Sequence, residues 1–387
     1  MKKINWIILT SEGLGIRHRV GTFIKQLSGG QRRKKNITVY ILKIGIGGYH
    51  AFEFEEGGGI TILQIPLIER GKGTDTCKNQ ERIARSIVHV ALQYISPADI
   101  NVVHMNYIFE HLIGKEIKQK LESIILFTKH FSSHNEIFSS NYFSTELETY
   151  QLVDQIIAVT RHGKDHLTAQ GVIEDNLQVI YNGIDPGQFN LATRMNIKEK
   201  YGLTGNEYLI LLRGRIDQIK GLNYLASAFD QLLRQIADCR LVIACNGDFE
   251  SLIKATSHFS SHVSFLGFVP FEELVSLYRV VTIGVIPSLK EHCSYVALEM
   301  LFCGLSAVAT ILGSLKEIFI HNKTTFLAHM LPNQKNLKKI ASDVAQLAGF
   351  MQELLRNEPL RQKFSQHAVK KANATFMQGI MVDLCLN

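Results

Sequence analysis

The sequence predicts an α/β protein made of two Rossmann-like domains, each built on a parallel sheet. Short apolar runs that suit buried strands alternate with amphipathic, helix-period segments along the chain. This alternation occurs on both sides of a dense cluster of turn residues at positions 182–187. At 387 residues the chain is also long enough for two or three domains, each with its own core.

Strand and helix predictions follow the change of hydrophobic period along the first half of the chain. The predicted strands span residues 5–10, 37–43, 61–65, 102–104, 124–128 and 156–159, and the predicted helices span 17–27, 80–94, 108–121 and 162–170. We therefore expect residues 1–186 to form a first Rossmann-like domain.

The second half repeats the pattern. Strands are predicted near residues 208–213, 241–245, 263–266, 281–286 and 306–310, and helices near 221–236, 271–279, 295–303 and 336–356. We expect residues 187–365 to form a second Rossmann-like domain and 366–387 a C-terminal helix that packs back toward the first. Because ligands of such sheets bind beyond the carboxyl ends of the strands, we expect the site in a cleft between the domains.

The composition restricts the classes of partner. A net charge of +7 and a pI near 9.0 favour an anionic partner, and no nucleic-acid-binding motif supports DNA or RNA in that role. The six cysteines form no Cys-x-x-Cys pair, and no apolar run approaches the roughly 20 residues that span a bilayer. We expect a cytoplasmic protein with reduced thiols.

Two glutamates eight residues apart form the most informative constellation. An apolar run over residues 280–288 predicts a buried strand, a polar loop with Glu291 follows, and Glu299 lies about two turns into a predicted helix. Backbone N–H groups and the helix dipole can bind an anion where a strand leads into a helix. The pattern suits a nucleotide, with phosphate at the helix start and ribose on Glu299.

A second strand–loop–helix segment carries two basic residues, Arg215 and Lys220. Arginine offers a fixed fork of donors and lysine a mobile point charge, and together they suit a diphosphate. The alternative for both, as for Glu291 in its loop and Glu299 on its helix, is an ordinary solvated charge.

Together these segments resemble the retaining, nucleotide-sugar-dependent glycosyltransferases of family 4, which have the GT-B fold. The family pattern Gly-Arg-x4-Lys-Gly is similar to residues 214–221, and its Glu-x7-Glu is similar to Glu291 and Glu299. Residues 153–185 are similar to the end of the family's first domain. The resemblance implies two facing Rossmann-like domains that transfer a sugar, of hexosyl type, from a nucleotide-sugar to an acceptor hydroxyl with retained anomeric configuration.

The resemblance also implies roles for individual residues. Glu299 would bind the ribose, and Arg215 with Lys220 would neutralise the leaving diphosphate. Glu291 and His130, which stands at the position of the family's active-site histidine, would lie near the transferred sugar and act in catalysis. Further donor-binding residues are expected at Gly13, Gly15, Gly247, Phe268, Ser294 and Tyr295.

Structural alternatives stay open for several of these residues. A single histidine such as His130 is more often a core residue than a catalytic one. Gly13 and Gly15 suit a plain tight turn nearly as well, Gly247 suits a turn, and Phe268 suits an apolar core.

The chain departs from the family at residues 291–294, which are Glu-His-Cys-Ser where members usually have Glu-Gly-Phe-Gly. Glycines let backbone N–H groups approach phosphates closely, and side chains narrow the choice of dihedral angles. One hypothesis is that the loop still binds through its N–H groups, with the Ser294 hydroxyl as a further donor. A second is a catalytically impaired GT-B protein that binds nucleotides as a partner or regulator, and a third is a nucleotide-sugar epimerase.

The resemblance implies a UDP- or GDP-sugar as donor, bound without a metal, and no carboxylate cluster in the sequence suggests a metal. The acceptor stays open among a glycan, a lipid-linked glycan, a small glycoside and a peptide. The basic run at residues 31–36 would suit a peripheral contact with the inner face of a membrane, although most such runs are solvated loops.

Overall fold

The computed structural model describes residues 3–10, 19–45, 53–57, 59–66, 77–130, 140–190, 196–203, 205–216, 218–247, 249–330 and 335–386. The chain divides into two compact units, an N-terminal unit (Met1–Gly183 with Gln378–Asn387) and a C-terminal unit (Ile184–Met377). Each unit is built on one largely parallel sheet with its helices, which confirms the predicted class of two Rossmann-like domains.

The N-terminal unit has a sheet of order β3-β4-β2-β1-β5-β6-β7-β8. Its strands are β1 (Ile4–Thr10), β2 (Ile37–Gly45), β3 (Glu53–Gly57), β4 (Ile60–Pro66), β5 (Ile100–Met105), β6 (Ile124–Lys129), β7 (Gln155–Ala158) and β8 (Leu177–Val179). All neighbours are parallel except β3 and β4, which pair antiparallel. The strand order reverses between β1 and β5, which is where sheets of this kind bind ligands.

The last helix of the chain belongs to the N-terminal unit. The helices of this unit are α1 (Arg19–Gln31), α2 (Cys77–Ala91), α3 (His111–Leu121), α4 (Ser140–Leu152), α5 (Arg161–Ala169) and α14 (Gln378–Leu386). Gly30 lets α14 approach α1 closely, because a Cβ at this position would lie 2.6 Å from a methyl carbon of Val382. At neighbouring Gly29 a Cβ would meet only Gln378, at 3.5 Å.

Part of the basic run at residues 31–36 also holds α14. The ammonium of Lys34 lies 2.5 Å from the carboxylate of Asp383, and Arg33 donates to the side chain of Gln378 at 3.3 Å. These two basic residues therefore have a structural role in the N-terminal unit.

The C-terminal unit has a parallel sheet of order β11-β10-β9-β12-β13-β14. Its strands are β9 (Tyr208–Ile216), β10 (Cys239–Gly247), β11 (Val263–Phe265), β12 (Ile283–Ile286), β13 (Ala307–Thr310) and β14 (Thr325–Ala328). Its helices are α6 (Ile197–Lys200), α7 (Leu222–Leu233), α8 (Phe249–Thr256), α9 (Phe271–Val280), α10 (Tyr295–Phe302), α11 (Leu315–Ile318), α12 (Leu337–Arg356) and α13 (Glu358–Thr375). The order reverses between β9 and β12.

A polar contact fastens α6 to α9 in this unit. Glu273 accepts hydrogen bonds from Lys200 at 2.6 Å and from the hydroxyl of Tyr201 at 2.7 Å. Two hydrogen bonds lower the pKa of the Glu273 carboxyl, and the one from Lys200 has the larger effect, ahead of the one from Tyr201.

Several elements were not predicted from the sequence. They are β3, β8, β14, α4, α6, α8 and α11, and β8 and β14 contain only three and four residues. A strand this short shows too few alternations for a periodic pattern to be recognised. The predicted C-terminal helix at 366–387 is divided, since α13 ends at Thr375 in the C-terminal unit and α14 begins at Gln378.

No helix among the described residues combines the length and the apolar character needed to cross a bilayer. Cys239, Cys245, Cys293 and Cys385 are buried and carry no disulfide. Burial raises the pKa of Cys239, Cys245 and Cys385 to about 12, so these thiols stay protonated near neutral pH.

Candidate functional site

The loops that follow β9 and β12 are locked together at the point where the strand order of the C-terminal unit reverses. The N–H of Leu289 donates to the carbonyl of Ile219 at 2.7 Å. Gly221 has a φ of +65°, and a Cβ there would lie 1.9 Å from the carbonyl oxygen of Pro287. Only glycine fits this approach, so Gly221 fixes the Lys220 loop against the segment that leads to Glu291.

Glu291 and Lys220 pair with each other. The ammonium of Lys220 contacts the Oε1 atom of Glu291, and the Ser288 hydroxyl donates to the same oxygen at 3.0 Å. Ser288 is held in turn, because its carbonyl accepts a hydrogen bond from the Thr310 hydroxyl at 2.6 Å. The residue is 5% exposed, so Glu291 is a buried, paired acid and not the solvated loop charge of the alternative interpretation.

Glu299 is bound by a residue that the sequence analysis did not select. Nη1 of Arg213, on β9, lies 2.5 Å from its Oε2 atom, and the hydroxyl of Tyr278, on α9, donates to that oxygen at 2.7 Å. Glu299 is 3% exposed, which excludes the alternative of a helix-surface glutamate. Both contacts fall on one carboxylate oxygen, so the rotation of the group is fixed.

Burial is the largest influence on the titration of this cluster. It raises the pKa of the Glu299 carboxyl, although the attraction of Arg213 and the hydrogen bond from Tyr278 lower it. Burial also disfavours the charged form of Arg213 and is the largest single influence on it, but attraction to Glu299 and to Tyr278, together with the hydrogen bond to Glu299, outweighs burial and raises the pKa of the guanidinium. Arg213 therefore keeps its positive charge, and it contacts a carboxylate whose burial favours the protonated form.

The loop at residues 291–294 leads into α10 without needing glycine. Ser294 is the N-cap of α10, and its hydroxyl oxygen accepts from the N–H of Ala297 at 3.4 Å. Among the described residues, Glu122 and Asn322 are the non-glycine residues with positive φ, so this loop adopts dihedral angles that side-chain-bearing residues allow. Tyr295, at the first position of the helix, is buried.

The remaining predicted donor-binding residues lie in different settings. Arg215 is exposed near the end of β9. Gly247 ends β10 with a φ of +125°, and a Cβ there would lie 2.6 Å from the carbonyl oxygen of Ile216, so a close backbone approach requires this glycine. Phe268 is 48% exposed and is not a core residue. Gly13 and Gly15 lie outside the described residues.

His130 lies directly after β6 in the N-terminal unit and is 2% exposed. Its Nε2 atom is 3.0 Å from the side-chain oxygen of Asn106, which follows β5. The amide nitrogen of Asn106 donates to the carbonyl of Leu9 at 3.1 Å, so its oxygen is the acceptor toward His130. His130 therefore donates through Nε2 to Asn106, and the ring of Phe23 packs edge-on against the imidazole with the ring centroids 4.7 Å apart.

Two further polar groups stabilise these strand ends. Glu110, fully buried, accepts hydrogen bonds from the backbone N–H groups of Asn106 at 2.6 Å and Tyr107 at 3.0 Å, which fixes the turn after β5. Lys129 is the last residue of β6 and directly precedes His130. It is buried and pairs with Glu146 of α4. Burial lowers the pKa of Lys129, and Glu146 opposes that shift.

Sequence reasoning missed Arg213, Tyr278 and Asn106. A charge inside the apolar run of β9 was the available signal for Arg213, because a buried cation requires a partner. The signal for Asn106 was a polar residue at the carboxyl end of a buried strand. Tyr278 is part of an amphipathic helix and carries no comparable signal.

Comparison with known proteins gives the family. The model for Glycosyltransferase Family 4 matches residues 20–188, and the model for Glycosyl transferases group 1 matches residues 193–371. The two matches fall on the two halves of the chain, and together they extend over most of its length. The chain therefore belongs to the group 1, family 4 glycosyltransferases, as the motifs predicted.

Individual relatives agree with this assignment. Over 183 residues the chain is 33% identical to the uncharacterized glycosyltransferase MJ1607 of Methanocaldococcus jannaschii, a match covering 45% of this chain and 46% of the relative. It is 25% identical to MJ1178 of the same organism over 87% of this chain and 85% of the relative. The chain thus spans about half of MJ1607 in its match and most of MJ1178.

A solved structure confirms the GT-B fold. The crystal structure of HepE from Anabaena in complex with UDP-glucose has a TM-score of 0.73 to this chain at 16% identity. The likeness covers 100% of this chain and 98% of HepE.

Proposed function

We propose that this protein transfers a sugar from a nucleotide-sugar to an acceptor hydroxyl with retention of anomeric configuration. The observation that carries the proposal is the pair of buried carboxylates, Glu291 and Glu299, at the strand-order reversal of the C-terminal unit. Each carboxylate faces a cation that comes from the β9 segment. Membership of the family supports the reaction class, and the UDP-glucose bound by HepE supports a UDP-sugar as first candidate donor.

Donor binding would use the C-terminal unit. Glu299 has Oε2 engaged, so Oε1 is the oxygen that would accept hydrogen bonds from ribose hydroxyls. The N–H groups at the start of α10 would face the diphosphate, where the helix dipole favours negative charge. Arg215 and Lys220 would add positive charge, and Lys220 would exchange part of its contact with Glu291 for the phosphate.

The chemical step would follow from charge placement. As the bond between sugar and phosphate breaks, negative charge accumulates on the leaving diphosphate, where Arg215 and Lys220 stabilise it. Those cations would take the part that a metal plays in other transferases. Same-face attack would let the leaving phosphate accept the acceptor's proton, which accounts for retention without a covalent intermediate on the enzyme.

Acceptor binding would use the N-terminal unit. His130 and Asn106 lie beyond the ends of β6 and β5, beside the strand-order reversal of that sheet, where ligands of such sheets bind. They offer hydrogen-bonding groups suited to a sugar hydroxyl. The acceptor class is a hydroxyl compound, with a glycan, lipid-linked glycan, small glycoside or peptide as candidates.

A binding and transfer assay tests the proposal. We expect one of UDP-glucose, GDP-mannose or ADP-glucose to raise the melting temperature by a few degrees and to be hydrolysed slowly or transferred to an acceptor. Glu299→Gln should abolish the shift. Asp343→Asn is the matched control, because Asp343 is a buried acid paired with Lys339 at 2.7 Å on α12, outside the proposed site.

The control separates binding from stability. Asp343→Asn should lower the melting temperature and keep the donor-induced shift. Donor binding that survives in Glu299→Gln would contradict the site, and binding without hydrolysis or transfer to any acceptor class would contradict the proposed reaction.

A further inference from the structure

Arg213 is a largely buried cation on a strand of the C-terminal unit. It occupies β9 after four buried apolar residues at positions 209–212, and its side chain is 15% exposed. Its contact with Glu299 joins β9 to α10 across 86 residues of sequence. A charge so placed is destabilising unless it is paired, so its presence calls for a role beyond packing.

The contacts of the Glu299 carboxylate indicate what this role is. Arg213 and Tyr278 both bind Oε2 of Glu299, at 2.5 Å and 2.7 Å. Two donors on one oxygen fix the plane of the carboxylate and leave Oε1 to serve another ligand. An arginine fork also keeps its charge at every physiological pH, unlike a lysine or histidine.

We propose that Arg213 is a positioning residue for donor binding, which holds the Glu299 carboxylate through Oε2 so that Oε1 is presented, ionised, to a ribose hydroxyl of the donor. This inference rests on the proposed function. It assigns no contact between Arg213 and the donor itself, so the effect of Arg213 must act through Glu299.

A pH dependence follows because burial favours the protonated form of Glu299. Without Arg213 the carboxyl would be protonated at a higher pH, and a protonated carboxyl is a poorer acceptor for a hydroxyl. Donor affinity would then fall with decreasing pH, by about tenfold per unit below the new pKa of the carboxyl. The attraction of Arg213 lowers the pKa of the carboxyl, so between about pH 6 and about pH 8.5 the affinity should change less with pH when Arg213 is present than when it is absent.

Among the described residues, Tyr278, Cys303 and Cys245 act on this pair, and none of the three titrates in that interval. Tyr278, from α9, has a pKa well above 10 because of burial. Burial raises the pKa of Cys303, which directly follows α10 and acts on Glu299, to about 12. It raises the pKa of Cys245 of β10, which acts on Arg213, to about 12 as well. A slope of affinity with pH in the variant would therefore report Glu299.

The experiment measures dissociation constants of UDP-glucose, GDP-mannose and ADP-glucose by calorimetry from about pH 6 to about pH 8.5. Arg213→Met keeps the bulk of the side chain and removes the charge, and we expect at least tenfold weaker binding at the low end, recovered at the high end. Arg213→Lys restores a charge, so it should restore binding and the smaller slope of the natural protein. Arg240→Met is the matched control, since Arg240 of β10 pairs at 2.7 Å with Glu207, which directly precedes β9.

A donor analogue that lacks the ribose 2′-hydroxyl measures directly how Arg213 affects the contact between Glu299 and the ribose. The 2′-deoxy analogue of the bound donor should bind more weakly than the donor to the natural protein, and this difference should shrink in Arg213→Met. Tyr278→Phe removes only the second hydrogen-bond donor to Oε2, so its donor affinity should change less with pH than that of Arg213→Met. It is the variant to measure if Arg213→Met does not fold.

The outcomes separate this inference from the proposed function. Tight donor binding by the natural protein together with equal, pH-independent affinity in Arg213→Met and Tyr278→Phe would overturn the role of Arg213 alone. Failure of the natural protein to bind any of the three donors would overturn the proposed donor site, and this inference with it.

Discussion

Replacing Gly221 with alanine tests the contact between the two loops of the proposed donor site. Gly221 has a φ of +65°, and the added Cβ would lie 1.9 Å from the carbonyl oxygen of Pro287. Carbon and oxygen atoms that are not bonded stay more than about 3 Å apart, so the two backbones must separate by about 1 Å. The neighbouring atom is backbone, which cannot rotate away as a flexible side chain would.

Gly202 provides a matched control for the dihedral strain. Its φ is +64°, and no described atom lies within 4 Å of the position that a Cβ would occupy. A left-handed conformation costs a residue with a Cβ about 1–2 kcal/mol, and both alanine variants carry that cost. Steric overlap adds about 1–3 kcal/mol at Gly221 alone. We expect losses of unfolding free energy of about 1–2 kcal/mol for Gly202→Ala and about 2–5 kcal/mol for Gly221→Ala.

Urea unfolding of the full chain, followed by circular dichroism, measures both losses. Because Lys220 directly precedes Gly221, the displaced loop should also weaken binding of the donor identified by the melting screen, whereas Gly202→Ala should leave it unchanged. Equal losses of stability in the two variants would refute the reasoning, since the close approach to Pro287 would then have no energetic effect.

Asn106→Ala removes the acceptor that fixes the His130 ring, so kcat should fall about tenfold to a hundredfold with little change in the KM for the donor. An unchanged kcat in steady-state assays would contradict this. Gly30→Ala should destabilise the protein by about 1–3 kcal/mol through overlap with α14. Gly29→Ala should be neutral or stabilising, because alanine favours the helix. Identical melting curves for the two variants would count against this expected difference. Hydrogen bonds lower the folded-state pKa of Glu273, so its stabilisation is present above the unfolded-state pKa and is lost as pH falls through the folded-state value. Glu273→Gln should therefore cost about 0.5–1 kcal/mol near neutral pH and nothing in strong acid, as urea unfolding at both pH values would show.

The spacing of the two glutamates could be read from sequence because strand, loop and helix follow each other along the chain. β12, the loop with Glu291 and the first turns of α10 are one local segment, and their order fixes where both acids lie. The partners of the acids could not be read in this way. Arg213 reaches Glu299 because β9 and β12 are neighbours in the sheet, and strand order is not encoded in local periodicity.

The two arginines of β9 illustrate the same limit. Arg213 and Arg215 are two residues apart on the same strand, and Gly214 between them has a φ of +139°. The motif singled out Arg215, yet the residue deeper in the sheet, Arg213, meets Glu299, while Arg215 is exposed. Depth along a strand depends on where the sheet ends, which only the three-dimensional packing defines.

The first domain was harder to predict for another reason. His130 was found through a strand-end motif, but Asn106, which binds it, lies on a different strand end 24 residues away. Asparagine after a strand also suits an ordinary turn, so its type alone does not distinguish the two roles. The antiparallel strand β3 is acidic and short, and neither feature predicts a strand.

The altered loop at residues 291–294 has a structural explanation that bears on the hypothesis of lost activity. That hypothesis rested on glycine's dihedral freedom, but the loop takes no positive φ among its residues. Ser294 caps α10, and Cys293 is fully buried, so these side chains fix the loop where glycines would leave it free. Ordering a loop before the ligand arrives lowers the entropy lost on binding. The departure from the family pattern is therefore compatible with a preorganised donor site, and any loss of activity would have to come from side-chain bulk near the phosphates instead of backbone strain.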